Sequence, residues 1–174
     1  MTIYYLPGFV FSCVDPGLRG CGVAEFTGGA LTRAAYVRNP VLSGRGYGAH
    51  AEMADAVNEW ISDASERIII EHPVIYPGAA QQKGDPNDLI DVAAVGAAIA
   101  VGFRTHYIET VHPREWKGQV PKDVMTRRIS AAISPGERQF IEPCQSTLMH
   151  NVLDAIGIGL WKLGRINQKR LHND

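Results

Sequence analysis

Apolar and polar positions change period several times along the chain, and each change marks an element. Residues 8–14 are rich in β-formers and run into the turn former Asp15-Pro16-Gly17. Residues 21–26 return as a second strand, Gly28-Gly29 makes the next turn, and 31–37 suits a third strand. Together these predict an antiparallel meander. Gly44-Arg45-Gly46-Tyr47-Gly48 reads as a mobile loop. Met53, Val57, Trp60 and Ile61 then recur at helical spacing. Residues 67–71 are short and apolar up to Glu71, the pattern of a strand covered on both faces. The stretch 72–87, rich in Pro, Gly and Gln, reads as a loop, and 88–101 as a helix of small residues able to pack closely on a sheet. A further strand is expected at 106–111, helices at 122–133 and 146–163, and a polar tail over 166–174. Meander, helix, strand, helix, strand, helix describes an α/β or α+β layer fold with helices packed on a sheet.

Composition narrows this picture only slightly. The 174 residues suit one globular domain, expected to span 1–174, and 45% hydrophobic with 20% charged residues is ordinary for a soluble fold. No apolar run is long enough to span a membrane, and the N-terminal residues lack a secretory pattern. Cys13, Cys21 and Cys144 are odd in number and lack C-x-x-C spacing, which argues against a disulfide framework or a zinc site and for a reducing cytoplasm. The net charge of −1 requires any nucleic-acid surface to come from the distribution of basic residues, not from their excess.

Three acids stand out because each is tied to a core element. Asp15 lies where an apolar strand meets a turn, Glu71 ends the most apolar strand, and Asp154 lies within the helical run Val152-Leu153-Asp154-Ala155-Ile156-Gly157. A carboxylate in such a place is costly unless it is paired or binds a metal. Few bases are available in the core to pair with them, and oxygen ligands of this kind favour Mg²⁺ or Mn²⁺. His150 and Asn151 precede Asp154 by four and three residues, so all three share a helical face, and both offer ligand atoms.

These segments resemble a known family. Val14-Asp15-Pro16-Gly17-Leu18-Arg19-Gly20-Cys21-Gly22-Val23-Ala24 resembles the first-strand motif of RuvC-type Holliday-junction resolvases. Ile68-Ile69-Ile70-Glu71 resembles their second acidic strand, and His150-Asn151-Val152-Leu153-Asp154-Ala155 the acidic motif of their last helix. Order and approximate spacing agree over nearly the whole chain. The resemblance implies an RNase H-like fold, with a mixed five-stranded sheet (antiparallel meander, then parallel strands) flanked by helices. It implies a homodimer acting on four-way DNA junctions, with two divalent metals per site and no nucleotide cofactor. Asp15, Glu71 and Asp154 match the metal-binding acids, with Asp15 expected to bridge the ions. Lys117 and Lys122 lie where the family carries functional basic residues. The chain departs from the pattern in having Asn151 where the family usually offers Asp or His, with His150 one residue earlier. The loop after Arg19 also looks shorter. These departures suggest a divergent, phage-type member.

The function expected is a metal-dependent endonuclease that resolves Holliday junctions and related branched DNA by paired symmetric nicks. Lys117 is the leading candidate to stabilise charge at the scissile phosphate. Arg114, Lys117, Lys122, Arg127 and Arg128 cluster in one segment, and Lys162, Arg165, Lys169, Arg170 and His172 lie at or beyond the end of the last helix. Both groups are candidate phosphate contacts. Arg45 with Tyr47 in the glycine loop, and Lys83 in Gln81-Gln82-Lys83, are candidate contacts to the branch. Two alternatives remain open at this point: a branched-DNA-binding protein with weak or no catalysis, motivated by Asn151, and an RNase H acting on RNA–DNA hybrids. An actin-like ATP-handling domain fits less well, because the chain is short and has no second phosphate-binding glycine loop.

Overall fold

Five strands form one sheet in the order β3-β2-β1-β4-β5. The computed structural model describes residues 3–42, 44–75, 85–103 and 107–166. β1 (Val10–Asp15), β2 (Gly20–Thr27) and β3 (Ala30–Arg38) are the antiparallel meander, while β4 (Arg67–Glu71) runs parallel to β1 and β5 (Ile108–Val111) parallel to β4. The β2–β3 hairpin turns through Gly28 and Gly29, both at positive φ (56° and 88°). Positive φ at both turn residues gives the twist that antiparallel strands need, and glycine adopts it without a Cβ clash.

Alternation along the strands sends two sets of side chains to opposite faces. Phe11, Cys13, Phe26, Leu31, Ala34 and Ile69 pack with α4 (Lys122–Ala132) and α6 (Met149–Lys162). Val14, Cys21, Val23, Ile68 and Ile70 pack with α1 (Tyr47–Trp60) and α2 (Pro86–Gly102). The centres of β1 and β4 are therefore largely apolar, because both of their faces are covered. Among the described residues there are also a 3-10 turn (Ile3–Tyr5) and two short α-helices, α3 (Pro113–Trp116) and α5 (Pro135–Arg138). Among the described residues no helix is long and apolar enough to cross a membrane.

Glycines let α6 settle onto the sheet. A Cβ on Gly157 would overlap the Trp116 ring, and one on Gly159 the Phe26 ring. Glycine costs roughly 1 kcal/mol relative to alanine inside a helix. Here it admits two large aromatic side chains against the helix axis. The end of α6 is fastened by Arg165, whose guanidinium makes a two-pronged contact of 2.6 and 2.7 Å with Glu137 of α5, while Glu137 also accepts from the Leu31 backbone N–H at 2.9 Å.

Several boundaries differ from those expected. Tyr47 and Gly48 belong to the first turn of α1, because Gly46, at φ 84°, turns the chain into the helix and its carbonyl accepts from the His50 N–H. α2 begins at Pro86, with the Asp85 side chain capping the Asn87 N–H at 2.9 Å. α6 begins at Met149, after a turn at 146–148. Ile166, placed by its sequence in a polar tail, is buried in the core beside α6.

Candidate active site

Asp15 and Glu71 are the last residues of two neighbouring parallel strands, one step beyond the paired Val14 and Ile70. Their positions alternate with Cys13 and Ile69, so both face α6. Asp154 reaches the same place from α6, and Gly22 makes this possible. Gly22 is the antiparallel partner of Asp15, and a Cβ there would overlap the backbone of Asn151. The first turn of α6 therefore lies directly on β2 beside Asp15, with Asp154 one helical turn further on.

Lys117, at the C-terminal end of α3, enters this cluster. Its Nζ is 3.0 Å from Asp154 Oδ2 and 3.4 Å from Glu71 Oε2, and stands 4.5 Å from the centre of the Trp116 ring. Trp116 is fully buried, and its indole N–H donates to Glu71 Oε2. The expectation that few bases would pair the acids is corrected here: Lys117 is the counter-ion of two of them.

The electrostatics of the cluster follow from burial and from mutual charge. Burial, then the Glu71 charge, raises the Asp15 carboxyl well above the usual carboxylate range, and the Asp154 charge adds to this, against the lowering influence of Lys117 and Lys122. Burial likewise raises Glu71, partly offset by Lys117 and by the Trp116 hydrogen bond. Burial alone would lower the Lys117 ammonium, but Glu71, Asp154 and Asp15 outweigh it and hold it charged. The site thus carries more negative charge than one lysine neutralises.

Among the described residues no group of three or more His, Cys, Asp and Glu side chains is set to hold a metal ion. Oxygens of Glu71 and Asp154 are engaged by Lys117 and Trp116. The donor set nevertheless fits a hard divalent cation: Asp15 and Glu71, whose carboxyls are raised first by burial, and Asp154 all offer hard oxygen ligands, with the Lys117 ammonium between Glu71 and Asp154. His150 and Asn151 are half-buried on the first turn of α6. A groove of about 370 Å³ opens beside Asp154, lined by Arg114, Lys117, Gly118, Lys122 and Met125.

The other candidate contacts are dispersed. Arg127 is exposed on α4 and pairs with Asp123 at 3.2 Å. Arg45 is bound to Asp88 and lies 3.8 Å from Asp91, on the α1–α2 side of the sheet, where Tyr47 is 90% exposed. Lys162 pairs with Glu109 and Arg165 with Glu137, so both are engaged within the fold. Lys83, Lys169, Arg170 and His172 lie outside the described residues. Gly22 and Trp116 had no separate signal in the sequence, because their roles depend on partners 129 and 45 positions away.

No family model matches the chain, and no curated protein matches its sequence. Solved structures do match. The fold is RNase H-like, a mixed sheet flanked by helices. More particularly it is the fold of RuvC. T. thermophilus RuvC in complex with a Holliday junction substrate aligns with a TM-score of 0.62 at 15% identity, over 90% of this chain and 96% of that one. A second Thermus thermophilus RuvC structure aligns with a TM-score of 0.58 at 15% identity, over 90% and 98%.

Proposed function

We propose that this chain is a divalent-metal-dependent, structure-selective endonuclease that cuts four-way DNA junctions and related branched DNA. The observation that carries this reading is the convergence of Asp15, Glu71 and Asp154 from β1, β4 and α6 at one end of a RuvC-type sheet, with the Lys117 ammonium among them. Asp15, Glu71 and Asp154 would hold Mg²⁺ or Mn²⁺, with His150 or Asn151 as a further ligand. Bound there, a pair of such ions supplies an activated water and stabilisation of the leaving oxygen. Trp116 fixes the Glu71 carboxylate in place through its N–H, and its buried ring prevents reorientation. Among the described residues Lys117 is the charged donor at the acids, and its ammonium would donate to a non-bridging oxygen of the scissile phosphate. Lys122 and Arg114 line the groove that leads to this point, and Lys122 would attract the phosphate backbone.

Paired nicks call for two active sites, so we read the working form as a homodimer of single-domain chains acting in the cytoplasm. Ile90, Ala97 and Val101 share an exposed face of α2 and offer apolar contact for a second copy. The test uses Asp15→Asn, Glu71→Gln and Asp154→Asn. Each is expected to lower cleavage of a synthetic junction by at least a hundredfold while leaving junction binding intact. Normal cleavage by any of the three would remove that residue from the site. Tight junction binding by the parent protein without cleavage in Mg²⁺ or Mn²⁺ would favour the second reading, a branched-DNA-binding protein. That reading is motivated by Asn151, which stands where the family usually carries an acid or a histidine.

A further inference from the structure

Most basic side chains of this protein are committed to partners within the fold. Among the described residues, Arg33, Arg45, Arg67, Lys117, Arg127, Arg138, Lys162 and Arg165 all make ion pairs or hydrogen bonds. Arg114 and Arg128 are also engaged. The side chains of Arg19, Arg38 and Lys122 make no ion pair or hydrogen bond among the described residues, and all three are exposed. Unpaired cations are the ones free to meet an external anion, and these three are not scattered. Lys122 lies on the α4 side of the acid cluster, close enough to lower the Asp15 carboxyl. Arg19 and Arg38 lie on the other side.

The register explains how they come together there. Asp15, Gly22 and Tyr36 stand side by side across β1, β2 and β3, and Gly20 pairs with Arg38 one pleat further on. Tyr36 and Arg38 alternate with Ala34, so both face the α6 side, the same face as Asp15. The Tyr36 ring lies over Gly20, where any Cβ would strike its hydroxyl end. Arg19 adjoins Gly20, and its carbonyl accepts from the Asn39 N–H at 3.0 Å, which fixes the turn beside the end of β3. Arg19 and Arg38 both act electrostatically on the Tyr36 hydroxyl. At a strand spacing of about 4.8 Å, Tyr36 is roughly 10 Å from Asp15, and Arg38 projects beyond the level of Asp15.

We propose that Arg19, Tyr36 and Arg38 form a second phosphate-binding shelf, across the acid cluster from Lys122, that holds the cleaved strand two to three nucleotides from the scissile position. The Tyr36 hydroxyl donates to one phosphate and the two guanidiniums neutralise it and its neighbour. The strand then runs from the Lys122 groove past Asp15 and around the first turn of α6, which lies on Gly22, to the shelf, anchored on both sides of the cut. This inference rests on the nuclease reading above and adds the path of the substrate.

The experiment compares the parent protein with Arg19→Gln/Arg38→Gln in equilibrium binding to a synthetic four-way junction without divalent metal, across a salt series. Both arginine side chains are exposed and make no ion pair or hydrogen bond among the described residues, so the variant is expected to unfold at the parental temperature. Its junction affinity is expected to fall about tenfold or more, and the slope of log affinity against log salt to shrink by about 1.8, the value for two lost phosphate contacts. Parental affinity and slope in the variant would overturn the shelf and leave the nuclease reading in place. A parent protein that binds neither junction nor fork nor duplex would overturn both.

Discussion

At the scale of single residues, the acids and Gly22 set the two sharpest expectations. Asp15 is held above the usual carboxylate range first by burial and then by Glu71. The metal-free folded chain therefore binds a proton at Asp15 more tightly than the unfolded chain does. Its contribution to stability is full below the unfolded pKa and is lost as pH rises through the folded one. Asp15→Asn removes that loss, so at neutral pH the metal-free variant is expected to melt higher than the parent, by roughly 2–4 °C for each kcal/mol relieved. Differential scanning calorimetry without divalent metal reads this directly, and a lower melting temperature would contradict it. Gly22→Ala makes the opposite trade. Its Cβ would meet the Asn151 backbone and push α6 off β2, at a cost of about 1–3 kcal/mol in urea unfolding. Because Asp154 rides on α6, cleavage is expected to fall with it. Gly48→Ala, which meets only open space, should leave both unchanged. The three acids were legible in the sequence because each interrupts an apolar run, and an interrupted run demands a reason. Gly22 and Trp116 were not, since what each one touches is settled only when β2 meets α6 and α3 meets β4.

At the scale of elements, α6 is the part that must be held in register, and Glu137 with Arg165 holds its far end. The Arg165 guanidinium, with the Leu31 and Ser134 backbone donors, keeps the Glu137 carboxyl far below the usual carboxylate range. A depressed carboxyl stabilises the fold above its unfolded pKa, and that stability is lost as pH falls toward the folded value. Glu137→Gln leaves Arg165 without its counter-ion and is expected to cost about 3 kcal/mol at pH 7. The deficit should shrink progressively below about pH 4, where the unfolded carboxyl takes up its proton. Urea unfolding at pH 7 and pH 3 tests this, and an equal deficit at both would show that the charge of Glu137 is not what matters. This clasp was hidden from the sequence. Residues 135–138 are too short for a periodic pattern, and Arg165 read as one of several basic residues near a polar tail. The long elements were legible because their apolar periods span many residues. The start of α1 was not, because Gly44 to Gly48 carries three glycines, and only the carbonyl of Gly46 bonding to His50 shows where the helix begins.

At the scale of the whole molecule, the mixed sheet followed from the order of elements and from the family resemblance together. The RuvC fold agrees with both at 15% identity. The nucleic-acid surface was less legible. A net charge of −1 hides which basic residues are spent inside the fold, and only the ion pairs show that Lys162 and Arg165 are spent while Lys122 is not. The homodimer reading predicts that Ile90→Glu with Val101→Glu, on the exposed face of α2, shifts the sedimenting species from dimer to monomer with little change in melting temperature. A parent that sediments as a monomer at all concentrations would contradict it. The most direct test of the central claim is nucleotide-resolution mapping of the products from junction, fork, duplex and RNA–DNA hybrid substrates in Mg²⁺ or Mn²⁺. The account predicts metal-dependent nicks placed symmetrically across the junction, lost in Asp15→Asn, with duplex and hybrid left intact. Cleavage of hybrid in preference to junction, or of no substrate with either metal, would contradict it.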